Sequence, residues 1–530
     1  MKVLTAAQMR EADRLTTERF GVPSLQLMEN AGTCVVEFLQ AQFADLPKRR
    51  IVVLCGKGNN GGDGLVVARL LKRQGAQPTV LLFAALETLR GDAAVNLQRW
   101  QETSGELRVI TDAPEWESAK GALAGAQIVV DALLGTGLSG SVEGLLRAVI
   151  EDVNRLPRTV QVVAVDTPSG LPSDPTEVGG PVVRADYTVT FTAPKVGQLV
   201  SRDCDRVGKL LVRSIGTPPE LLEEDAQLKL HWLEPDEFRS LSLRRRADAH
   251  KGDYGHALIV AGSRGKTGAA VLAARGALRV GAGLVTVATP DDVLPIVASG
   301  MAEMMTAPLI GTEVGTISLR NMDYGRFWEI TRGKNVLAMG PGVSMHQETQ
   351  QWVRAVLADC PLPVVLDADG LNAFAGRADE LNKRRTAALA VTPHPGEMAR
   401  LLGCTTQEVQ ANRPEVALRA AARWKAYVVL KGYHTIVATP DGRAFINSTG
   451  NPGMATGGTG DVLTGMLAGL TAQFGLEHWE RVLGLGVYLH GLAGDLAAAR
   501  VGEAPMIASD LVAAIPQAFQ QLCEQLERDA

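Results

Sequence analysis

The chain has 530 residues with a formal net charge of −5, and 46% of its residues are hydrophobic and 21% charged. Because a single hydrophobic core rarely grows beyond about 250–300 residues, this length predicts more than one domain. The slightly acidic balance argues against a nucleic-acid partner, and the six widely spaced cysteines argue against a zinc site or a disulfide framework.

The sequence also lacks the pattern of a targeting or membrane segment. Its first residues contain no apolar core of signal-peptide length, and no stretch approaches the ~20 apolar residues of a membrane span. We therefore expect a cytoplasmic protein without a membrane partner.

The first half of the chain alternates between helical and strand patterns. One helical pattern runs from Thr5, a typical N-cap residue, to about Phe20, and a second runs from Pro23 to about Phe43. Short apolar runs, typical of buried parallel strands, follow at Ile51–Cys55, 79–83, 126–130 and Gln161–Val165. Strands that alternate with helices predict βαβ units and a Rossmann-like parallel sheet.

Three strand ends in this half carry the residues of a candidate site. The first strand enters a glycine-rich segment, 56–64, which we expect to form a turn before a helix over 65–74. This segment matches G-x-G-x-x-G, but the next strand ends without the acid that an ordinary dinucleotide site requires. Asp131 and Asp166 end two later strands, where ligands bind in parallel sheets, although each could instead cap its own loop.

These segments together resemble the NAD(P)H-hydrate epimerase family over roughly residues 1–215. The resemblance rests on Asn59-Asn-Gly-Gly-Asp-Gly64, Asp131-Ala-Leu-Leu-Gly-Thr-Gly137, Asp166-Thr-Pro-Ser-Gly170 and, upstream, Met28-Glu-Asn-Ala-Gly32. It implies interconversion of the R and S hydrates of the reduced cofactor, with Asp166 as the proton-transfer group.

The same resemblance implies two sets of binding residues. A potassium ion would be held by Asn60, Asp131 and Ser169, and such a hard cation selects oxygen ligands. The residues implied to bind the hydrated cofactor are Asn59, Asn60, Gly61, Gly62, Asp63, Gly135, Thr136, Gly137, Leu138, Ser139, Gly140, Ser141 and Asp166.

The alternation weakens between Gly216 and Gly255, and we place a domain boundary there, with domains at 1–220 and 221–530. This segment contains two prolines, an acidic run and the cluster Arg244, Arg245 and Arg246, which we expect to be a solvated patch. A second series of strand patterns begins at His256. It continues at 284–288, Val336–Met339, Val364–Leu366, 388–391 and Tyr427–Leu430.

A second glycine-rich segment precedes a helical pattern at 462–470. Gly457, Gly458 and Gly460 surround Thr459 and would expose backbone amides at a helix start, which suits a transferring phosphoryl group. Asp461 would then accept the proton of an attacking hydroxyl, unless it only stabilises the helix dipole, worth about 0.3–1 kcal/mol.

Other strand-end loops of this half contain His394 between two prolines, the run from Lys431 to Thr435, Gly340-Pro-Gly342 and Asp367-Ala-Asp369. The segment from Gly262 to Thr267 is not a Walker A motif, because only two residues separate its glycines. We therefore interpret Lys266 as a loop cation.

This set resembles the ADP- or ATP-dependent NAD(P)H-hydrate dehydratase family, whose fold is ribokinase-like, over about residues 225–525. The resemblance implies that ADP and Mg²⁺ are used to phosphorylate the hydrate hydroxyl, after which phosphate is lost. The implied hydrate-binding residues are Ala270, Gly342, His394 and Asp461. The implied nucleotide-binding residues are Lys431, Gly432, Tyr433, His434, Thr435 and Gly460.

The order of the two halves resembles the bacterial bifunctional enzyme, which uses ADP and releases AMP and phosphate. We expect small-molecule substrates, namely hydrated NADH or NADPH and ADP, and a homo-oligomer. Two other functions stay open. The second half could be a ribokinase-like kinase for a vitamin precursor or a sugar, and the first half could be a catalytically inert nucleotide sensor.

Overall fold

The computed structural model describes residues 1–138, 140–175, 179–386 and 388–528. The chain forms two compact units that divide between Leu228 and Lys229, and Met1 belongs to the second unit. This division lies inside the segment where the sequence pattern weakens. Each unit has a mainly parallel sheet with helices, so the predicted two-domain α/β fold is confirmed.

The first unit contains seven parallel strands in the order β3-β2-β1-β4-β5-β6-β7, a Rossmann-like order with one added strand. The strands are β1 (Ile51–Cys55), β2 (Thr79–Leu82), β3 (Glu106–Val109), β4 (Ile128–Ala132), β5 (Gln161–Val165), β6 (Tyr187–Phe191) and β7 (Lys209–Arg213). The helices are α1 (Ala6–Phe20), α2 (Ser24–Gln42), α3 (Asn59–Arg73), α4 (Gly91–Glu102), α5 (Ala113–Ala119), α6 (Gly144–Asn154), α7 (Val196–Val200) and α8 (Glu220–Glu223).

The helix that follows β1 starts earlier than the sequence pattern indicated. It begins at Asn59 instead of residue 65, so most of the glycine-rich segment forms its first turns. Glycine is required there for packing: a Cβ on Gly61 would lie 1.8 Å from the carbonyl oxygen of Gly56, and a Cβ on Gly64 would lie 2.7 Å from Ala132. These glycines therefore let the start of α3 approach the end of the sheet.

The second unit contains a ten-stranded sheet in the order β11-β10-β9-β12-β13-β14-β15-β16-β17-β8. The strands are β8 (Leu230–Trp232), β9 (His256–Val260), β10 (Leu284–Pro290), β11 (Met305–Leu309), β12 (Val336–Met339), β13 (Val364–Leu366), β14 (Leu389–Val391), β15 (Tyr427–Leu430), β16 (Ile436–Ala438) and β17 (Ala444–Ile446). Among the described strands of this sheet, only β15–β16 and β16–β17 pair antiparallel. This architecture agrees with the ribokinase-like prediction.

The helices of the second unit are α9 (Thr267–Arg279), α10 (Leu294–Ala298), α11 (Arg326–Thr331), α12 (Gln347–Asp359), α13 (Ala368–Asn372), α14 (Pro395–Leu402), α15 (Thr406–Ala411), α16 (Arg413–Trp424), α17 (Thr459–Phe474), α18 (Trp479–Val501) and α19 (Ala508–Arg528). Among the described residues, only α18 is long and apolar enough to cross a membrane by length and composition, and most of it is buried in the core. The sequence pattern had not indicated a stretch of that length.

Helices α9 and α17 pack through glycines. A Cβ on Gly276 would lie 2.3 Å from the carbonyl oxygen of Val462, and a Cβ on Gly465 would lie 1.8 Å from that of Ala273. The two backbones therefore approach more closely than any larger residue permits. This contact fixes the position of α17, whose first turn carries Asp461.

We predict that Gly276→Ala destabilises the second unit by about 1–3 kcal/mol, because the added methyl group meets backbone atoms that cannot move freely. Gly268→Ala on the same helix is the matched control, since a Cβ there has nothing within 4 Å. In an exposed helical position, alanine should be neutral or stabilising by about 0.5–1 kcal/mol. Urea unfolding of the two variants measures both effects, and equal stabilities would contradict the packing argument.

Candidate active sites

A cavity of about 980 Å³ lies at the carboxyl ends of β1, β4 and β5 in the first unit. Helix α1 also lines it, through Met9, Arg10 and Asp13. The structure therefore brings three strand-end loops together, as the parallel-sheet argument predicts. The predicted residues that line the cavity are Asn59, Asn60, Asp63, Gly135, Thr136, Gly137, Leu138, Gly140, Ser141 and Asp166.

Two predicted binding residues have a different position. Gly61 and Gly62 are buried within the start of α3, where Gly61 faces Gly56 and Gly62 faces Met28. They shape the loop and do not line the cavity. Ser139, also predicted to bind the hydrate, lies outside the described residues.

Asp166 is held by a lysine that the sequence analysis did not identify. Lys195 is 1% exposed, and its Nζ lies 2.5 Å from Asp166 Oδ1 and donates to Thr190 Oγ1 at 2.8 Å. Thr190 Oγ1 donates to the same Asp166 oxygen at 3.0 Å. Both bonds end on Oδ1, so Oδ2 stays available to a ligand. Asp166 has a φ of +62°, an uncommon conformation for a residue with a side chain, and such strain clusters at functional sites.

Two more carboxyl groups face the same cavity. Burial raises the pKa of Asp63 well above its usual value, and the nearby Asp166 and Asp13 raise it further. Burial also raises the pKa of Asp13 to about 6, despite the opposing charge of Lys195. Asp13 Oδ1 is buried without a hydrogen-bond partner among the described residues. The cavity thus places two carboxyl groups with raised pKa values near an aspartate that is paired with a lysine.

The predicted potassium ligands lie together beside the cavity. Asn60 Nδ2 donates to the carbonyl oxygen of Leu134 at 2.9 Å, while Asn60 Oδ1 is buried without a hydrogen-bond partner among the described residues. Ser169 donates to Asp131 from its Oγ at 2.6 Å and from its backbone nitrogen at 2.8 Å. Burial raises the pKa of Asp131 to about 6 against these hydrogen bonds. The unsatisfied amide oxygen and the buried carboxyl group supply the oxygen donors that a hard cation selects.

The second candidate site is built around a buried ion pair at the carboxyl edge of the ten-stranded sheet. Lys431 Nζ lies 2.7 Å from Asp367 Oδ1, and Asp367 is 1% exposed. Thr464 on α17 donates to the other oxygen of Asp367 at 2.5 Å, and Glu397 lies 3.8 Å from Lys431. Burial would lower the pKa of Lys431, but Asp367 and Glu397 raise it above its usual value. The lysine is therefore held charged.

Asp461 and Gly460 lie beside this ion pair. A Cβ on Gly460 would be 3.5 Å from Lys431 Nζ, so the first turn of α17 lies beside the cation. Burial raises the pKa of Asp461 to about 6, and Asp367 adds to the effect while Lys431 opposes it. The first amides of α17 have no acceptor within the helix and can bind an anion. A helix start, a cation and a poised carboxylate thus converge.

Arg413 supports the predicted nucleotide loop, residues 431–435, through hydrogen bonds to backbone carbonyl oxygens. This buried arginine donates to the carbonyl oxygens of Leu430 at 3.3 Å and of Lys431 and His434 at 3.5 Å. Gly432 has a φ of +142°, and a Cβ there would lie 2.9 Å from the guanidinium. The loop therefore requires both the glycine and the arginine. Its outer face carries Tyr433, which is 47% exposed.

The other predicted hydrate-binding residues differ in accessibility. His394 is exposed, and its Nδ1 accepts from the backbone nitrogen of Gly396 at 3.0 Å, so it caps α14, while its Nε2 lies 3.5 Å from Glu397 Oε1. Gly342 lies next to Lys266 and accepts a hydrogen bond at its carbonyl oxygen from Ser263 Oγ. Ala270 has no exposed surface and packs near Gly262. Ala270 thus shapes this loop from inside.

Several residues of these sites were missed by the sequence analysis, namely Lys195, Asp13, Arg413 and Thr464. None belongs to a glycine-rich motif, and each contacts its site residues across a separation in sequence, as Thr464 and Asp367 do over 97 positions. Asp367 was identified only as part of a strand-end loop, and Lys266 only as a loop cation, whereas it pairs with Asp369 at 2.9 Å. Burying an unpaired charge costs free energy, so a buried lysine needs a partner of opposite charge. A lone lysine in an otherwise apolar segment is therefore the one sequence signal that could have pointed to such a residue.

Comparison with known proteins identifies the family. Residues 257–517 match the family model of NAD(P)H-hydrate dehydratase, and residues 24–197 match that of the YjeF-related protein N-terminus. The bifunctional NAD(P)H-hydrate repair enzyme Nnr of Moorella thermoacetica is 45% identical over 99% of this chain and 98% of its own length. The chain belongs to the bifunctional NAD(P)H-hydrate repair enzymes. The predicted family is therefore confirmed.

Other repair enzymes and one solved structure show the same likeness. The Escherichia coli repair enzyme is 34% identical, over 96% of this chain and 92% of its own length. The crystal structure of the ADP/ATP-dependent NAD(P)H-hydrate dehydratase of Bacillus subtilis is 32% identical, with a TM-score of 0.48 over 55% of this chain and 98% of that one. Membership of the repair-enzyme family makes a kinase for a vitamin precursor or a sugar the weaker alternative.

We predict that Lys431→Met destabilises the second unit by about 3–5 kcal/mol at pH 8, because Asp367 keeps a buried charge without a cation. The loss should be smaller in Lys431→Met/Asp367→Asn, since the second change removes the unpaired charge. Denaturant unfolding of the two variants measures this, with the exposed Lys383→Met as control. Equal losses in the two variants would contradict the ion-pair interpretation.

Proposed function

We propose that the cavity of the first unit epimerises the R and S forms of hydrated NADH or NADPH. The reacting carbon carries a hydroxyl group and the ring nitrogen. Asp166 Oδ2 would take the hydroxyl proton while the bond from this carbon to the ring nitrogen breaks, which leaves an open-chain aldehyde. Rotation and reclosure on the other face then give the other epimer. The position of Asp166 is the observation that carries this proposal, because Lys195 holds its carboxylate beside the cavity.

Asp63 and Asp13 complete the proton balance. When the ring opens, the nitrogen takes the electron pair and needs a proton, which a protonated carboxyl group can donate. Burial raises the pKa of both Asp63 and Asp13, which favours the protonated form of each group, so we assign this proton to one of them. The same group regains the proton when the ring closes, so the cycle consumes nothing. Lys57 and Arg10, which also line the cavity, are suited to the phosphates of the cofactor.

We propose that a potassium ion binds to the oxygen group formed by Asn60, Asp131 and Ser169. A cation there would offset the buried charge of Asp131 and satisfy Asn60 Oδ1. Because Asn60 and Ser169 both contact Leu134, the same ligands fix the start of the loop that contains Gly135, Thr136 and Gly137. The ion thus supports substrate binding through the position of this loop.

For the second unit we propose ADP-dependent dehydration of the S hydrate. The hydroxyl oxygen attacks the terminal phosphoryl group of ADP, Asp461 takes its proton, and AMP leaves. Loss of phosphate from the resulting ester, with a proton from the neighbouring carbon, restores the dihydronicotinamide. Phosphorylation converts a poor leaving group into a good one. The amides at the start of α17, together with Lys431, would stabilise charge on the transferring group.

The nucleotide would lie on the loop formed by Lys431, Gly432, Tyr433, His434 and Thr435, next to Gly460. Among the described residues, no cluster of three or more His, Cys, Asp or Glu side chains could hold a metal ion. Mg²⁺ would therefore be bound mainly by the phosphates of ADP, as is usual for this ion, and would neutralise charge on them. Ala270, Gly342 and His394 would border the hydrate.

The cytoplasm is the compartment we propose for this reaction. The described chain has six free cysteines, which suits a reducing environment. The homo-oligomer stays a prediction, as does the lack of a nucleic-acid partner.

The two activities should separate cleanly by mutation. Asp166→Asn should lower R-to-S exchange at least ~100-fold, because the base is lost, while dehydration of the purified S hydrate continues. Asp461→Asn should have the opposite effect. Exchange is followed by chromatography of the epimers and dehydration by the absorbance of the reduced cofactor. The exposed Asp45→Asn is the control. Undiminished exchange in Asp166→Asn would refute Asp166 as the base, and wild-type exchange no faster than the uncatalysed reaction would support the inert-sensor alternative.

The potassium proposal is tested by replacing K⁺ with Li⁺, whose smaller radius does not fit the same oxygens. We expect epimerisation to slow about tenfold or more in Li⁺, with dehydration unchanged. Asn60→Ala should be slow in both salts, because the ligand is gone. Thermal unfolding in the two salts gives a second readout, since an ion bound only to the folded state raises its stability. Identical rates and stabilities in K⁺ and Li⁺ would refute the site.

A further inference from the structure

A second cavity of the dehydratase unit lies away from the catalytic loops. Its volume is about 620 Å³, within the usual range for small-molecule sites. It is formed at the ends of α9 and α17, whose first residues, Thr267 and Thr459, lie at the catalytic edge. Since α17 has 16 residues, this cavity is about 24 Å from the catalytic helix start.

The cavity has a strongly cationic rim. Arg244, Arg245, Arg246 and Arg279 line it, against a single carboxylate, Asp253. Three of these arginines are the cluster that the sequence analysis assigned to a solvated patch. In the structure they are gathered with a fourth arginine from α9 around one concave surface.

The charges on this rim are only partly neutralised. Arg244 pairs with Glu527, and Arg246 lies 3.5 Å from Asp248. Arg245 has no acidic partner among the described residues: it stacks over Tyr254 at 4.0 Å and donates to the carbonyl oxygen of Gly281 at 2.6 Å. Arg279 is exposed and forms no ion pair within the described chain. Two guanidinium groups therefore remain for an anionic ligand.

The wall of the cavity is apolar and partly aromatic. Phe474 ends α17 and Phe519 lies on α19, and Val280 and Pro516 also line the cavity. Arginine forks match phosphate oxygens, whereas apolar and aromatic side chains suit a flat ring. A ligand that contains both a phosphate group and a flat ring would interact with the arginines and with the apolar wall.

We propose that this cavity is a second nucleotide site, which binds a nucleoside phosphate such as AMP. The phosphate lies between Arg245 and Arg279, and the base packs against Phe474 and Phe519. The site is separate from the nucleotide loop at Lys431. Inorganic phosphate could use the same arginines but would leave the apolar wall uncovered, so the two ligands can be distinguished by affinity.

Equilibrium dialysis of the full chain with radiolabelled AMP tests this proposal. We expect the Arg245→Ala/Arg279→Ala double variant to bind one equivalent of AMP fewer than the wild-type chain. Arg279→Ala alone should weaken that equivalent about tenfold, which keeps the test valid if the double variant folds poorly. The exposed Arg419→Ala should bind like the wild type.

Two outcomes would overturn the proposal. The first is a folded double variant that binds as many equivalents of AMP as the wild type. The second is inorganic phosphate that displaces AMP from this site with equal affinity, because the apolar wall would then contribute nothing. If the wild type binds one equivalent and the double variant none, the cavity is supported and the nucleotide loop at Lys431 is not.

Discussion

Burying an ionised carboxylate costs several kcal/mol unless a cation and hydrogen-bond donors accompany it. Both units meet this constraint in the same way, at the carboxyl edge of a parallel sheet. Lys195 and Thr190 hold Asp166 in the first unit, and Lys431 and Thr464 hold Asp367 in the second. A threonine and a buried lysine thus fix one carboxylate in each unit. Its neighbours then have their protonation set by burial.

As a result, the carboxyl groups of one site can take different roles in proton transfer. In the first unit, Asp166 is paired, while Asp63 and Asp13 have raised pKa values. In the second unit, Asp367 is paired, while the pKa of Asp461 is raised to about 6. Groups whose environments differ in this way can serve as acid and base at one pH. Such an arrangement serves both a reversible ring opening and a phosphoryl transfer.

Much of the fold could be predicted from the sequence because its central strands are fully buried. Runs such as Ile51–Cys55 and Val336–Met339 have no polar residue and were found with their bounds. Other strands were missed because they are not long, fully apolar runs. β3 is an exposed edge strand, β6 alternates threonine with apolar residues, and β16 has only three residues. Tertiary packing, not local pattern, defines those strands.

The sites were predictable only where they coincide with glycine-rich loops. Asp166 and Lys195 are 29 positions apart, and Lys431 and Asp367 are 64 apart, so no motif spacing links them. For the glycines the error was the opposite one. Gly61 and Gly62 were predicted to bind a ligand, but they allow the close packing of α3. A glycine-rich segment indicates close approach, and only the fold shows whether a ligand or a neighbouring backbone approaches it.

The central claim is that burial beside Asp367 and Lys431 sets the protonation of Asp461 for catalysis. The most direct test is the pH dependence of a single turnover of the S hydrate with ADP between pH 5 and 8. Because the base must be ionised, the rate should be nearly constant above about pH 7 and about tenfold lower at pH 5. A rate that stays constant down to pH 5 would contradict the account.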